Sequence, residues 1–74
     1  MKKNYSYEDV LKTIARNVKK LRKAKGLTQE DMVDFGFNYR HYQKIESGAY
    51  SPNLHTLVRL SQVFNITVDG LLKP

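Results

Sequence analysis

Five polar residues between positions 39 and 47 have side chains suited to binding base edges or phosphates. Their spacing puts them on one side of a short helix, and they are Tyr39, Arg40, Gln43, Lys44 and Ser47. Arginine and lysine suit guanine edges or phosphates, and glutamine suits adenine or phosphate. An ordinary solvated helix face is the alternative interpretation of this pattern.

The short helix that carries this set follows another short helix. Thr28 is expected to cap the earlier helix, which can run only to about Phe35 before a turn at Gly36. Asn38 is expected to cap the later helix, and Gly48 to end it. Two helices this short cannot bury a core alone, so such a pair usually presents one of them outward. This arrangement favours a helix-turn-helix that reads the major groove of DNA.

Three further helices are expected to support this pair, which makes the predicted fold all-α with five helices. They should span about Tyr7–Lys25, Leu54–Phe64 and Val68–Leu72, with Ser6, Asn53 and Thr67 as caps and with Gly26 and Asn65 ending the first two. No stretch alternates apolar and polar residues well enough to predict a strand. Residues 1–5 resemble a flexible tail, and residues 6–74 form the single domain that 74 residues allow.

The first helix carries one charged residue inside its apolar face. That face consists of Val10, Leu11, Ile14, Ala15, Val18 and Leu21. Arg22 falls within the same arc, and an unpaired buried charge is very costly. Glu46, at the edge of the inward side of the helix at 39–47, is the best candidate partner. The alternative is that Arg22 reaches solvent along its aliphatic stem.

The two C-terminal helices are expected to complete the core and to contact a second subunit. The predicted core arc of the longer one is Leu54, Leu57, Val58, Leu60, Ser61 and Phe64. Val63 points away from that arc, and the last helix is too short to bury both of its sides. Dimer contacts are therefore expected at Val63, Ile66, Val68 and Leu72.

The net charge of +6 is unevenly distributed along the chain. Residues 1–25 contain nine Lys/Arg against two acids, whereas residues 26–74 contain four against five. This indicates a polyanionic partner, either nucleic acid or an anionic membrane surface, unless the charge only solubilises the first helix. The basic arc of that helix should be mostly solvated, with one or two residues near its end touching phosphate; it consists of Lys12, Arg16, Lys19, Lys20 and Lys23.

Other classes of function lack a pattern to support them. There is no cysteine, and the two histidines, His41 and His55, have no ligand or triad spacing. No apolar run approaches the roughly 20 residues of a membrane span, and no signal segment follows Met1. We therefore expect no enzyme, cofactor or metal, and a cytoplasmic, nucleoid-associated protein.

The chain resembles the Cro/phage-repressor (XRE-like) helix-turn-helix family over about residues 11–72. The matching positions are Leu21, Arg22, Gly26–Glu30, Gly36–Asn38, Ile45–Gly48, Pro52, Thr56, Leu57 and Ile66–Leu72. The resemblance implies a compact five-helix domain that binds operator DNA, usually as a homodimer on a roughly palindromic site. A restriction–modification controller protein fits the size of the chain. The alternatives are an antitoxin that also binds a toxin, and a membrane binder that uses the first helix.

The resemblance also implies roles for individual residues. Gln29 would hold a phosphate at the start of the second helix, with Thr28 beside it. The residues that reach base edges would be Tyr39, Arg40 and Lys44. Those nearer the groove walls and backbone would be Asn38, His41, Gln43 and Ser47. The buried arginine–glutamate pair of the family matches Arg22 and Glu46.

Three departures from the family pattern concern the helix-turn-helix itself. The chain has one residue fewer than the common spacing, between Val33 and Gly36. Val33 stands where the family prefers alanine, and Tyr42 replaces the usual isoleucine or valine. A shorter second helix and a bulkier contact could tilt the helix at 39–47 and change its docking angle.

Overall fold

The computed structural model describes residues 6–74, which form four α-helices and one 3₁₀-helix. In chain order these are α1 (Tyr7–Ala24), the 3₁₀-helix (Glu30–Phe35), α2 (Tyr39–Ser47), α3 (Leu54–Phe64) and α4 (Val68–Leu72). The prediction of an all-α fold with five helices is confirmed. The predicted tail, residues 1–5, lies outside the described residues. Within residues 6–74, none of the helices is both long and apolar enough to cross a membrane.

The α-helices begin where capping residues satisfy their first N–H groups. The side chains of Ser6, Asn38, Asn53 and Thr67 each accept a hydrogen bond from the backbone N–H three residues later. Those N–H groups have no partner inside the helix, so each cap stabilises its helix by about 1 kcal/mol. The predicted bounds of α2, α3 and α4 agree with the structure, and α1 ends one residue earlier than predicted.

The second predicted helix is a 3₁₀-helix of six residues. Thr28 Oγ1 accepts a hydrogen bond from Asp31 N at 3.1 Å, and Asp31 Oδ2 accepts one from Thr28 N at 2.7 Å. This reciprocal pair is a capping box. Gly36 ends the helix with a φ of +94°, in the left-handed region that favours glycine. A 3₁₀-helix is wound more tightly than an α-helix, which fits the residue missing between Val33 and Gly36.

The core receives a fully buried side chain from every helix. The largest of these are Val18, Met32, Tyr42, Ile45, Leu60 and Leu71. Met32 is the buried anchor of the 3₁₀-helix. Phe37, in the turn, packs edge-to-face on Tyr42 with 5.6 Å between the ring centroids. The turn and α2 are therefore held on the same core as α1, α3 and α4.

The predicted core face of α3 is partly wrong. Leu54 is 69% exposed and Val58 is 39% exposed. The buried residues of α3 are Thr56, Leu60 and Phe64, a row spaced by four residues. The buried face of α3 is thus rotated from the predicted one and includes the polar residue Thr56. A prediction from apolar residues alone does not assign Thr56 to the buried face. Val63, predicted to point away, packs partly against the core for the same reason.

Helix α1 has an exposed basic side and a polar contact with the end of α4. Asn17 Nδ2 donates hydrogen bonds to the carbonyl oxygens of Leu71 at 2.8 Å and Lys73 at 2.7 Å. Helix-terminal carbonyls lack partners within their own helix, so Asn17 satisfies the C-terminal end of α4. The five residues predicted as the basic arc of α1 are all exposed; they are Lys12, Arg16, Lys19, Lys20 and Lys23.

Candidate nucleic-acid interface

Helix α2 is buried on one side and exposed on the other. Tyr42 and Ile45 are fully buried. The opposite side forms an open concave surface, here called the outer face, lined by Tyr39, Arg40, Gln43, Lys44 and Ser47. These are the five residues that the sequence analysis placed together on one side of the helix. All of them are exposed, so their hydrogen-bonding groups can meet a partner.

The carboxylate of Glu46 holds α2 against α1 and the start of the 3₁₀-helix. Arg22 donates to it through Nε at 2.6 Å and through its terminal nitrogen NH2 at 3.1 Å. Gln29 Nε2 donates to Glu46 Oε1 at 3.0 Å, and the hydroxyl of Tyr42 donates to Oε2. The remaining Arg22 nitrogen, NH1, donates to the carbonyl oxygen of Leu27 at 2.7 Å. The pair that the sequence analysis proposed therefore lies in direct contact.

The ionisation states of this cluster follow from burial and hydrogen bonding. The side chains of Arg22 and Glu46 are only 9% and 3% exposed. Burial alone raises the pKa of the Glu46 carboxyl, but hydrogen bonds from Arg22, Tyr42 and Gln29 outweigh it and lower the pKa. The hydrogen bond to Glu46 raises the pKa of Arg22. Burial, and then the bond to Glu46, raises the pKa of the Tyr42 hydroxyl. Glu46 is thus ionised at neutral pH and only accepts hydrogen bonds.

A row of hydrogen bonds links this buried cluster to the outer face of α2. Gln29 Oε1 accepts a hydrogen bond from Gln43 Nε2 at 3.3 Å. Gln43 Nε2 also donates to Tyr39 Oη at 3.1 Å. The row therefore runs from Glu46 through Gln29 and Gln43 to Tyr39. It fixes the orientation of both amide groups, because the Gln29 amide lies between an acceptor and a donor. The NH₂ group of Gln43 faces two acceptors.

The other predicted DNA-binding residues have local contacts. Thr28 takes part in the capping box, and Asn38 caps α2. Ser47 Oγ donates to the carbonyl oxygen of Lys44 at 2.6 Å and accepts from Ala49 N at 3.2 Å.

Helix α2 carries one histidine and two cationic residues, and they differ in their contacts within the domain. The ring of His41 packs edge-to-face on Tyr50, with centroids 4.6 Å apart. Arg40 and Lys44 form no ion pair within residues 6–74. Their charge is therefore available to an anionic partner.

The residues predicted for dimer contacts differ in their exposure. Val63 and Ile66 are partly buried against the core of their own chain. Val68 is half-buried, and Leu72 is exposed. The exposed apolar surface of α3 and α4 is formed mainly by Leu54, Val58 and Leu72. In the part of the chain that the structure describes, no three acidic or histidine side chains gather closely enough to hold a metal ion.

Two features of this interface escaped the sequence analysis. The Tyr42 hydroxyl joins the Arg22–Glu46 pair, and its position four residues before Glu46 on one helix was a usable signal. The edge-to-face contact of Tyr50 with His41 had no such signal, because Tyr50 lies in the loop between α2 and α3.

The sequence that forms this short exposed helix and its glycine turn is similar to sequences of known proteins. The sequence model of the family described as "Helix-turn-helix" matches residues 18–71. The chain therefore belongs to the XRE-like helix-turn-helix family. The match begins within α1 and ends within α4, so it includes part of α1, most of α4 and the whole of the three helices between them.

Three curated relatives carry names from the same class. The chain is 42% identical over 57 residues to YonR, an uncharacterized HTH-type transcriptional regulator derived from the SPbeta prophage of Bacillus subtilis (strain 168). It is 38% identical over 60 residues to the uncharacterized HTH-type transcriptional regulator YqaE of the same organism. It is 33% identical over 67 residues to the uncharacterized HTH-type transcriptional regulator y4dJ of Sinorhizobium fredii (strain NBRC 101917 / NGR234).

The extent of these matches differs among the relatives. The matches cover 76%, 80% and 89% of this chain, respectively. They cover 53% of YonR and 52% of YqaE, so this chain spans about half the length of those two relatives. The match covers 87% of y4dJ. No solved structure shows significant similarity to this chain.

Proposed function

We propose that this domain binds double-stranded DNA sequence-specifically, with α2 in the major groove, and serves as the DNA-binding part of a transcriptional regulator. The observation that carries the proposal is the outer face of α2. Its polar groups are exposed, while its opposite side is fixed to the core through Tyr42, Ile45 and Glu46. Membership of the helix-turn-helix family supports the same docking mode.

The proposed contacts divide into base edges and phosphates. Tyr39, Arg40 and Lys44 reach base edges, since they lie on the outer face and their functional groups extend from it. Gln29 has two amide hydrogens and uses one for Glu46, which leaves the other for a phosphate. The remaining positions near the sugar-phosphate backbone are Thr28, Asn38, His41 and Ser47.

The charge of the domain supports a polyanionic ligand. The net charge is +6, and five basic residues of α1 are exposed. Such a surface attracts DNA over long distances and accelerates association. Affinity should therefore fall steeply as salt rises, because each neutralised phosphate releases counterions. A non-enzymatic role in the cytoplasm, at the nucleoid, follows from this proposal.

The regulator acts as a homodimer on a roughly palindromic operator, with half-site centres about 34 Å apart. The exposed Leu72 supports a contact between α4 helices. Val63, Ile66 and Val68 are the other residues proposed for this contact. A dimer with two-fold symmetry places two α2 helices in successive major grooves on one side of the duplex.

Selection of bound duplexes from a random pool tests this proposal directly. We expect one enriched motif with two-fold symmetry, and a loss of affinity for it as salt increases. Sedimentation of the protein with the selected duplex should give two chains per site. A pool without enrichment contradicts sequence-specific binding, and an asymmetric motif occupied by one chain contradicts the dimer.

A further inference from the structure

The hydrogen-bond row from Glu46 to Tyr39 has a fixed polarity, and this polarity points to a base preference. On the basis of the proposed function, we propose that Gln43 and Tyr39 together select adenine in each half-site. Gln43 offers its side-chain carbonyl oxygen to the base, and Tyr39 offers its hydroxyl hydrogen. Gln29 acts as a positioning residue, because it fixes the orientation of the Gln43 amide.

The orientation of both amides follows from the ionised carboxylate. Glu46 can only accept hydrogen bonds, so Gln29 must direct its NH₂ group at Glu46 Oε1, 3.0 Å away. Gln29 therefore turns its carbonyl oxygen toward Gln43. Gln43 must in turn direct its own NH₂ group at that oxygen, 3.3 Å away. Flipping either amide would place two oxygens, or two NH₂ groups, against each other.

These orientations determine which groups of Gln43 and Tyr39 can donate or accept a further hydrogen bond. The NH₂ group of Gln43 has two hydrogens, and they go to Gln29 Oε1 and Tyr39 Oη. Its carbonyl oxygen accepts no hydrogen bond from residues 6–74. The oxygen of Tyr39 accepts from Gln43, so its hydroxyl hydrogen can be donated elsewhere. An acceptor and a donor therefore lie side by side on the outer face of α2.

This pair matches one base edge in the major groove. Adenine presents a donor, its N6 amino group, next to an acceptor, N7. Guanine presents two acceptors there, O6 and N7, so its O6 would face the Gln43 carbonyl oxygen. A phosphate also carries only acceptors, which makes it an unsuitable partner for that oxygen. The assignment moves Gln43 from the groove wall, where the family resemblance placed it, to a base edge.

The first experiment uses the wild-type chain on chemically altered duplexes. The relevant adenine is the motif position whose preference for adenine over guanine disappears in a selection repeated with Gln43→Ala. At that position, 2-aminopurine lacks the amino group on C6, 7-deazaadenine lacks the N7 acceptor, and guanine replaces the donor by an acceptor. We expect each replacement to weaken wild-type binding by about tenfold.

Two variants assign each contact to its side chain. Gln43→Ala should lose its sensitivity to 2-aminopurine and keep its sensitivity to 7-deazaadenine. Tyr39→Phe should lose its sensitivity to 7-deazaadenine and keep its sensitivity to 2-aminopurine. Gln62→Ala, an exposed glutamine on α3, is the matched control and should respond to the duplexes as the wild type does.

A third variant tests the positioning role of Gln29. In Gln29→Ala the Gln43 amide can rotate and donate to guanine, so the preference for adenine over guanine should fall by about tenfold at this one position. Preferences at the other positions should stay unchanged. A residue that only touched phosphate or only stabilised the fold would lower the affinity for all sequences evenly.

The outcomes separate this proposal from the proposed function. A wild-type chain that binds its motif but prefers guanine at the Gln43-dependent position overturns the adenine assignment alone. So does a Gln43→Ala selection that retains every preference, or a wild-type chain indifferent to the altered bases. A wild-type chain that prefers no duplex over any other overturns both proposals.

Discussion

The two sides of α2 use polar groups in opposite ways. On the inner side, Glu46 accepts four hydrogen bonds from Arg22, Gln29 and Tyr42, so its charge is fully compensated within the domain. On the outer side, Arg40 and Lys44 are exposed and form no ion pair within residues 6–74. Compensated charge fixes the helix, and uncompensated charge is available to a ligand. Substitutions on the two sides should therefore affect different properties, stability in one case and DNA binding in the other.

The largest effect is expected from Glu46→Ala. The substitution leaves the Arg22 guanidinium buried without its counter-charge, which should lower the free energy of unfolding by about 3–5 kcal/mol. Chemical denaturation of the purified domain measures this loss. Glu30→Ala, an exposed glutamate at the start of the 3₁₀-helix, is the control and should change stability little. A Glu46→Ala variant as stable as the wild type would mean that the pair contributes nothing to the fold.

A smaller loss of stability is expected from Tyr42→Phe. The ring still fills its buried site, but Glu46 loses one donor hydroxyl. Hydrogen bonds to charged groups contribute about 1.5–3 kcal/mol, so the free energy of unfolding should fall by that amount. Tyr50→Phe removes a hydroxyl outside this network and serves as the matched control. Equal stability of Tyr42→Phe and wild type would show that Arg22 and Gln29 alone satisfy the carboxylate.

Substitutions on the outer side of α2 should weaken DNA binding and leave stability unchanged. Arg40→Ala and Lys44→Ala should each weaken binding to the selected motif by about 1–3 kcal/mol if the residue reads a base. Their midpoints of thermal unfolding should stay close to that of the wild type, because neither side chain packs in the core. Titration of labelled duplexes measures the affinity, with Arg16→Ala and Lys19→Ala on α1 as charge-matched controls. If both outer variants kept the wild-type preference, α2 would not be the reader.

The elements that sequence predicted well are those determined by neighbours along the chain. The caps at Asn38 and Asn53 and the ends at Gly36 and Gly48 depend on a few adjacent residues, so the helix bounds were predicted closely. The outer face of α2 follows from helical periodicity in the same way.

The features that sequence did not predict depend on how separate elements pack. The inner face of α3 includes the polar Thr56 because α3 is rotated on its neighbours, which periodicity of apolar residues does not reveal. The contact between Gln29 and Gln43 joins residues on different elements. It exists because the 3₁₀-helix lies against α2, and no local pattern specifies that approach.

The smallest predicted effect is on how stability depends on pH, and it should differ between substitutions on the two sides of α2. The pKa of Glu46 is lower in the folded domain than the value of about 4.3 expected for an unfolded glutamate. Its contribution to stability is therefore complete above that value and is lost as the pH falls through the folded pKa. The pKa of Asp31 is lowered in the same direction by its hydrogen bonds with Thr28, so it adds to the acid sensitivity. Unfolding between pH 7 and pH 3 should depend less on pH in Glu46→Gln than in the wild type, whereas Lys44→Ala should follow the wild-type curve. Identical pH dependence of Glu46→Gln and wild type would mean that the inner carboxylate is not the group that acid protonates.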